Sequence, residues 1–336
     1  MSWRDELVRR FPKLSRLGPD ACVVGGAVRD LLLGREPADV DVTSRDPLSD
    51  AKKIRDRVIR LGSDEDQLIA YRVVDGESVY DFAEMLDHDL LTDLTRRDFT
   101  INAMAVELAT GTLHDPHGGQ RDLEARLVRM VRASNFDDDP LRMLKGVRMA
   151  VRYDFALDAE TLLAIRERAH LITTAAKERI AYELSVIFSS RQLRRAVTLL
   201  RATVLAPHLG LRTPDVQEDD VSLDGAYALL SLDEPRGDVL TLRRLMDEHD
   251  RVALYDAGET VARQLPAVLR ALGREDALDW PDFSIRALLT GDEIASLTGI
   301  APGLELGRVK RALLEAQIRG EVRTREEAEA FVTARA

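Results

Sequence analysis

The chain has 336 residues, 45% of them hydrophobic, enough for a large core and for two or more domains. No apolar run reaches the about 18 residues of a membrane span, the charged start Met1-Ser2-Trp3-Arg4-Asp5-Glu6 has no apolar signal core, and the single cysteine, Cys22, excludes an intrachain disulfide, so a cytoplasmic protein without a membrane partner is expected. The net charge of −11 argues against a nucleic-acid partner for the chain as a whole. The basic residues cluster, however, and Arg121, Arg126, Arg129, Arg132, Arg142, Lys145, Arg148 and Arg152 form a stripe that reads either as a phosphate-binding face or as a solvated helix face.

In chain order, Trp3, Leu7, Phe11 and Leu14 have helical spacing over residues 3–17. The apolar run at Cys22-Val23-Val24 reads as a strand, Gly25-Gly26 as a turn, and Ala27–Leu33 as a short helix. Asp39-Val40-Asp41-Val42-Thr43 alternates as a strand. Residues 50–62 carry Ile54, Val58 and Leu61 as an amphipathic helix. Leu68–Val74 and Ser78–Ala83 flank Asp75-Gly76 as a hairpin. Further apolar patterns lie at 103–108 and 112–114, so residues 1–120 read as a mixed α and β unit. After Gly118-Gly119 the chain becomes helical, and strand signals largely vanish from residue 138 to the end. Helices are predicted at 139–153, 158–168, 176–189, 191–202, 224–231, 237–247, 256–272, 284–289, 291–297, 304–318 and 324–334, with an acidic loop over 213–220.

Three constellations carry chemistry. In the first, Gly25 and Gly26 let the backbone approach a phosphate, and Arg29 sits one turn along. Asp39 and Asp41 share one face of their strand, so the pair reads as a place for Mg²⁺ and a triphosphate. In a two-metal site, a hydroxyl attacks the α-phosphate and pyrophosphate leaves. Asp81, on the second hairpin strand, reads either as a third carboxylate or as a surface strand residue and is left outside this core. In the second, Arg97 can donate to phosphate, Asp98 can accept from a sugar hydroxyl and Asn102 can do either; the block reads equally as a capped helix start. In the third, Asp139 and Arg142 sit three residues apart at a helix start marked by Pro140. An acceptor beside a donor suits the pairing edge of cytosine or adenine. The same spacing equally describes an N-cap with an intrahelical ion pair.

Together these blocks resemble the class II tRNA nucleotidyltransferase and bacterial poly(A) polymerase family. The likeness is carried by Val24–Asp30 with Asp39-Val40-Asp41, by Arg96–Ala103 and by Asp138–Arg148. Asp115–Leu123 is similar to the family's hinge, Ala176–Leu184 to its helix-stabilising motif, and Leu289–Ile294 with Gly303–Val309 to its tRNA-binding tail. The resemblance implies an α+β fold: a nucleotidyltransferase head with a small mixed β-sheet (1–120), then an all-α neck (121–185), body (186–275) and tail (276–336), arranged as a crescent. It implies addition of C and A from CTP and ATP to the tRNA 3′ end without a nucleic-acid template. Asp39 and Asp41 then hold Mg²⁺ and are catalytic. Gly25, Gly26 and Arg29 cradle the triphosphate, and Asp98 selects the ribose beside Arg97 and Asn102. Asp139 and Arg142 template the base, with Lys145 and Arg148 further along the nucleotide-binding helix. The template motif departs from the usual Glu-Asp start, reading Asp138-Asp139. Only Phe82 to Thr95 separates Asp81 from Arg96, whereas full CCA-adding members carry a longer flexible loop there. The short connection resembles members that add two cytidines and stop.

Poly(A) polymerase activity on general RNA is the alternative within the family. His249-Asp250 raises a metal phosphohydrolase as a third reading, which needs further converging ligands. A non-catalytic RNA-binding protein is a fourth, against which Asp39 and Asp41 stand.

Overall fold

The computed structural model describes residues 2–62, 69–230 and 237–335. The expected strand start at Leu68 and helix end at residue 231 lie outside the described residues. The chain divides into two compact units, residues 1–187 with 199–209, and residues 188–198 with 210–336. The mixed sheet followed by helices is the α+β architecture expected from the sequence.

The first unit begins with α1 (Trp3–Arg10), β1 (Cys22–Val24), α2 (Gly26–Leu32), β2 (Asp39–Ser44) and α3 (Pro47–Ile54). The strands β3 (Ile59–Leu61), β4 (Ala70–Asp75) and β5 (Ser78–Glu84) follow, then α4 (Leu90–Thr95), β6 (Ala105–Glu107), β7 (Leu113–His114) and α5 (Gly119–Glu124). Seven strands form one sheet in the order β3-β4-β5-β2-β1-β6-β7. Among the described residues of this sheet only β2 and β5 run parallel, which places Asp41 directly beside Asp81. The hairpin at Asp75-Gly76 joins β4 to β5 as expected. Tyr80 and Phe82 are buried under β5, and Cys22, Val24, Met85, Leu94 and Ala105 form an apolar cluster against α4.

One expected helix, 50–62, is corrected. α3 ends at Ile54, Arg55 turns extended, and Ile59–Leu61 becomes the edge strand β3. The β-branched pair Val58-Ile59 suits a pleat better than a helix turn, and β4 offers an open edge.

The chain continues with β8 (Leu127–Val128), α6 (Asn135–Asp138), α7 (Leu141–Tyr153), β9 (Ala156–Leu157), α8 (Ala159–Arg168) and α9 (Lys177–Phe188). The short ladder between β8 and β9 is a strand pairing not legible in the sequence. α5 docks through a tight seam. The Asp115 carboxylate accepts from Gly119 N at 2.6 Å and Gln120 N at 3.0 Å, and Asp122 accepts from Thr100 Oγ1 at 2.7 Å. A Cβ on Gly119 would stand 2.4 Å from the Thr100 carbonyl oxygen and 2.9 Å from the Met104 side chain, so no larger residue fits there.

In the second unit the expected helix 256–272 is three pieces, Arg251–Ala257, Glu259–Ala262 and Leu265–Ala271. Gly258 breaks it at positive φ, and Pro266 sits in the first turn of the last piece. Residues 284–289 are not helical, because the Asp282 carboxylate takes both the backbone N and the hydroxyl of Ser284 in a local turn. The C-terminal helices Gly291–Thr298, Leu304–Ile318 and Arg325–Thr333 enclose Leu289, Ile294, Leu313, Ala328 and Val332. Asp250 caps the helix at Arg251–Ala257 through Ala253 N at 2.8 Å, and His249 lies 3.4 Å from Asp276. This pair is therefore a helix cap and a surface contact. Among the described residues, no three His, Cys, Asp or Glu side chains are placed to hold a metal.

Candidate active site

β1 delivers the chain to Gly25, which adopts φ +70°. Its N–H donates to Met104 O at 3.2 Å, and its carbonyl accepts from Arg29 N at 3.1 Å. A Cβ at this position would lie 3.2 Å from Arg97 Nη1 and 3.3 Å from Asp41 Oδ2. The turn therefore leaves no room for a side chain between the glycine backbone, Arg97 and the Asp41 carboxylate. A Gly25→Ala change puts a side chain into a left-handed conformation costing roughly 1–2 kcal/mol and presses on both neighbours. We expect it to lower kcat/KM for nucleoside triphosphate by about tenfold or more while the circular dichroism spectrum is kept. Wild-type kinetics in this variant would remove Gly25 from the site.

Asp39 is exposed at the start of β2, and Asp41 is more enclosed two residues on. Burial pushes the Asp41 carboxyl up to about 6; the Arg97 charge opposes this, and the Asp39 and Asp81 charges add to it. Asp81 is held by a bidentate Arg72 at 2.8 and 2.6 Å. The structure thus brings Asp81 to the site that the sequence reading left it out of, as a paired neighbour of Asp41. A close pair of carboxylates, one destabilised as an anion, fits a hard divalent cation completed by phosphates and water. The sequence-based pair, and not a closed cage, is what the chain offers.

The Arg96–Asn102 block hangs from Asp93, whose side chain is fully buried. Its Oδ1 accepts from Arg96 at 2.8 and 3.2 Å, and its Oδ2 from Arg97 at 3.0 and 3.3 Å. Burial pushes Asp93 up, but the two guanidinium groups outweigh it and hold the carboxyl below its ordinary range. Beyond this anchor, Asp98 Oδ1 accepts from Phe99 N at 2.8 Å and from Asn102 Nδ2 at 3.1 Å. Asn102 Oδ1 in turn accepts from Arg29 Nη1 at 2.5 Å. Arg29 is 6% exposed, so its guanidinium works inside this network rather than at the open surface. Asp93, Tyr153 and Asn135 were missed by sequence reasoning. Asp93 had a signal, since it stands three and four residues before the arginines on a helix. Asn135 Nδ2 donates to the carbonyls of Thr95 at 3.0 Å and Arg97 at 2.7 Å, and nothing in its local pattern announces this.

The helix α7 starts two residues after the predicted position 139. Asp139 Oδ1 accepts from Leu141 N at 3.2 Å and Oδ2 from Arg179 at 3.1 Å. Arg142 Nη1 donates to the carbonyls of Arg96 at 2.8 Å and Asn135 at 3.1 Å. Among the described residues the two make no side-chain ion pair with each other; Arg142 instead ties the helix to the Arg96 block. Lys145 lines a cleft of about 330 Å³ with Leu141, Glu178, Arg179, Tyr182 and Glu183. Arg148 Nε lies 2.7 Å from Glu183 Oε2, out of line for a hydrogen bond. Much of the basic stripe is thus engaged internally, as is Arg129 with Asp122 at 3.1 Å and Asp158 at 2.7 Å.

Residues 21–129 match the model of the poly A polymerase head domain, and residues 154–215 that of the probable RNA and SrmB-binding site of polymerase A. An A-adding tRNA nucleotidyltransferase of Deinococcus radiodurans is 30% identical, over 97% of this chain and 98% of its own length. The chain belongs to the tRNA nucleotidyltransferase and poly(A) polymerase family. It is a nucleotidyl transfer enzyme of that family. A CC-adding tRNA nucleotidyltransferase of Synechocystis is 41% identical, over 53% of this chain and 44% of its own. The Bacillus stearothermophilus CCA-adding enzyme in complex with CTP superposes with a TM-score of 0.71 at 24% identity, covering 99% of this chain and 97% of that one. The Thermotoga maritima CCA-adding enzyme complexed with tRNA gives 0.68 at 20%, covering 100% and 98%. These two likenesses show the fold that the family shares. Among the described residues, no helix is long and apolar enough to cross a membrane.

Proposed function

We propose that this nucleotidyltransferase adds C and/or A from CTP and ATP to the 3′ end of tRNA and releases pyrophosphate. The observation that carries the reading is that Asp41 and Arg97 crowd the space above Gly25 at one turn, in a chain whose Asp98 and Asn102 are hydrogen-bonded to each other. The resemblance between this chain and tRNA nucleotidyltransferases along their full length supports the choice of tRNA. Such substrates argue for a cytoplasmic setting. We keep the division into head (1–120), neck (121–185), body (186–275) and tail (276–336) as the working plan for which part binds what.

Asp39 and Asp41 are the residues that would hold Mg²⁺, and the bound cation would supply Lewis-acid polarisation of the α-phosphate and a lower pKa for the attacking hydroxyl. Arg97 faces the triphosphate side of the Gly25 turn and donates to phosphate oxygens. Asp98 Oδ2 has no hydrogen bond among the described residues and accepts from the ribose. Asp139 and Arg142 supply acceptor and donor for the base; Arg179 shares Asp139 and must yield to an incoming exocyclic amine. Lys145 and Arg148 extend the same helix face.

A specific observation favours a second reading, addition of C alone. The connection from Asp81 to Arg96 is not an open loop: β5 runs to Glu84, α4 fills Leu90–Thr95, and Asp93 pins it from within. tRNA lacking CCA, supplied with CTP alone and then with CTP and ATP, reads the answer at single-nucleotide resolution. Two residues added in both mixes give the C-only enzyme, and three in the second give CCA. Homopolymer tails from ATP on any RNA would favour the poly(A) alternative. ATP supplied to tRNA ending in CC reads an A-only enzyme, and no incorporation from any of these mixes overturns the reading.

A further inference from the structure

The last residue of α7, Tyr153, is 5% exposed and lies far along the helix from Asp139 and Arg142, yet it reaches the nucleotide cradle. Its hydroxyl donates to Asp30 Oδ1 at 2.7 Å. The same oxygen accepts from Arg29 Nε at 2.9 Å. The Arg29 guanidinium also sits 4.6 Å over the Tyr153 ring, and Arg35 and Arg152 lie 4.9 and 5.6 Å from the ring centroid. Asp30 and Tyr153 thus hold Arg29 by edge and by face. Burial raises the Tyr153 phenol pKa, so it stays a donor.

Donor and acceptor chemistry fixes the polarity of the path from Arg29 to Asp98. Arginine has donors only, so Asn102 must turn its Oδ1 towards Arg29 Nη1. Its Nδ2 is then forced to face Asp98, where it donates to Oδ1. Phe99 N occupies the same Oδ1, which leaves Oδ2 for a sugar hydroxyl. Were Arg29 to rotate, the Asn102 amide would lose the reason for its orientation, and an inverted amide would set its oxygen against the carboxylate.

We propose that Tyr153 is a positioning residue for ribose selection, setting the carboxylate of Asp98 through Asp30, Arg29 and Asn102. The inference rests on Asp98 accepting from the ribose. It makes the far end of the neck helix a determinant of sugar choice, whereas the near end, at Asp139 and Arg142, faces the base.

The test compares kcat/KM for a ribonucleotide and its 2′-deoxy form, CTP on a tRNA lacking its CCA and ATP on a tRNA ending in CC, in wild type, Y153F, D30N, D98A and Y255F. Tyr255 is a control, because its hydroxyl donates at 2.6 Å to the Ile285 carbonyl in the second unit. Removing one hydrogen bond corresponds to a change of about two- to tenfold. Y153F is expected to lower the ribose preference by about that factor, more through KM than kcat, with its melting temperature close to wild type. D30N lowers it at least as far and serves if Y153F folds poorly. D98A lowers it further still, and Y255F leaves it unchanged. An unchanged preference in Y153F and D30N with a fall in D98A overturns the relay alone, as does an equal fall in Y255F. An unchanged preference in D98A overturns the ribose reading beneath it.

Discussion

Asp41→Asn is expected to abolish nucleotidyl transfer and leave the folded enzyme intact. The substitution keeps the shape of a side chain set beside the Gly25 turn and removes its charge. A carboxyl raised to about 6 binds more protons in the folded than in the unfolded state between its ordinary value and 6, so its charge costs stability as pH rises through that window. A neutral amide escapes that cost. In metal-free buffer at pH 7 the variant should therefore melt at or above the wild-type temperature. In the proposed function the anion is needed, because Asp41 would hold the cation with Asp39. Loss of such electrostatic stabilisation is worth roughly 3–4 kcal/mol or more, about a thousandfold in rate. Asp39→Asn should act in the same direction. Single-turnover extension of labelled tRNA measures the loss, and a filter-binding assay on the same preparation should give near-normal tRNA affinity. More than a tenth of wild-type activity in Asp41→Asn would show that the charge at this position is not catalytic.

The second large effect falls on stability. Asp93→Ala removes a wholly buried acceptor and leaves the guanidinium groups of Arg96 and Arg97 without their shared counter-ion. Breaking a buried pair by deleting one partner costs about 3–5 kcal/mol. The arginine side chains are 20% and 22% exposed and recover some hydration, which places the expected loss near the lower end, about 3 kcal/mol. Urea denaturation should read it as a lower midpoint at unchanged slope. Asp93→Asn, which keeps the shape and one acceptor, should lose less. Arg97 is also released from its place beside Gly25, so KM for nucleoside triphosphate should rise in the folded fraction. A loss under about 1 kcal/mol would mean that Arg96 and Arg97 are held by something other than Asp93.

Local pattern made the reacting half of the site legible. Gly25-Gly26 and Asp39-x-Asp41 are a turn and a period-two strand, and both rules act within a few residues. The structure puts them where that pattern says. What escaped was set at long range. Asp81 becomes Asp41's neighbour only because β2 and β5 pair in parallel across a crossover. Asn135 finds its carbonyls 38 and 40 residues away, and Tyr153 reaches Asp30 across 123. The misread helix at 50–62 had the opposite origin. Val58 and Leu61 fit a helical period, but the free edge of β4 decided their conformation. Arg29 shows both effects: its place in the cradle is local, whereas its burial depends on a helix that starts more than a hundred residues later.

The glycine seam at residue 119 bears on how this enzyme can be recombined. With the Thr100 carbonyl where a Cβ would stand, and with Asp115 and Asp122 binding across the same junction, the boundary near residue 120 is an interlocked joint. A chimera cut there, with a foreign segment before the cut, would bring together two halves of a lock that were never fitted to each other. Exchanging Thr100, Met104 and Asp115–Asp122 as one cassette keeps the key with its lock.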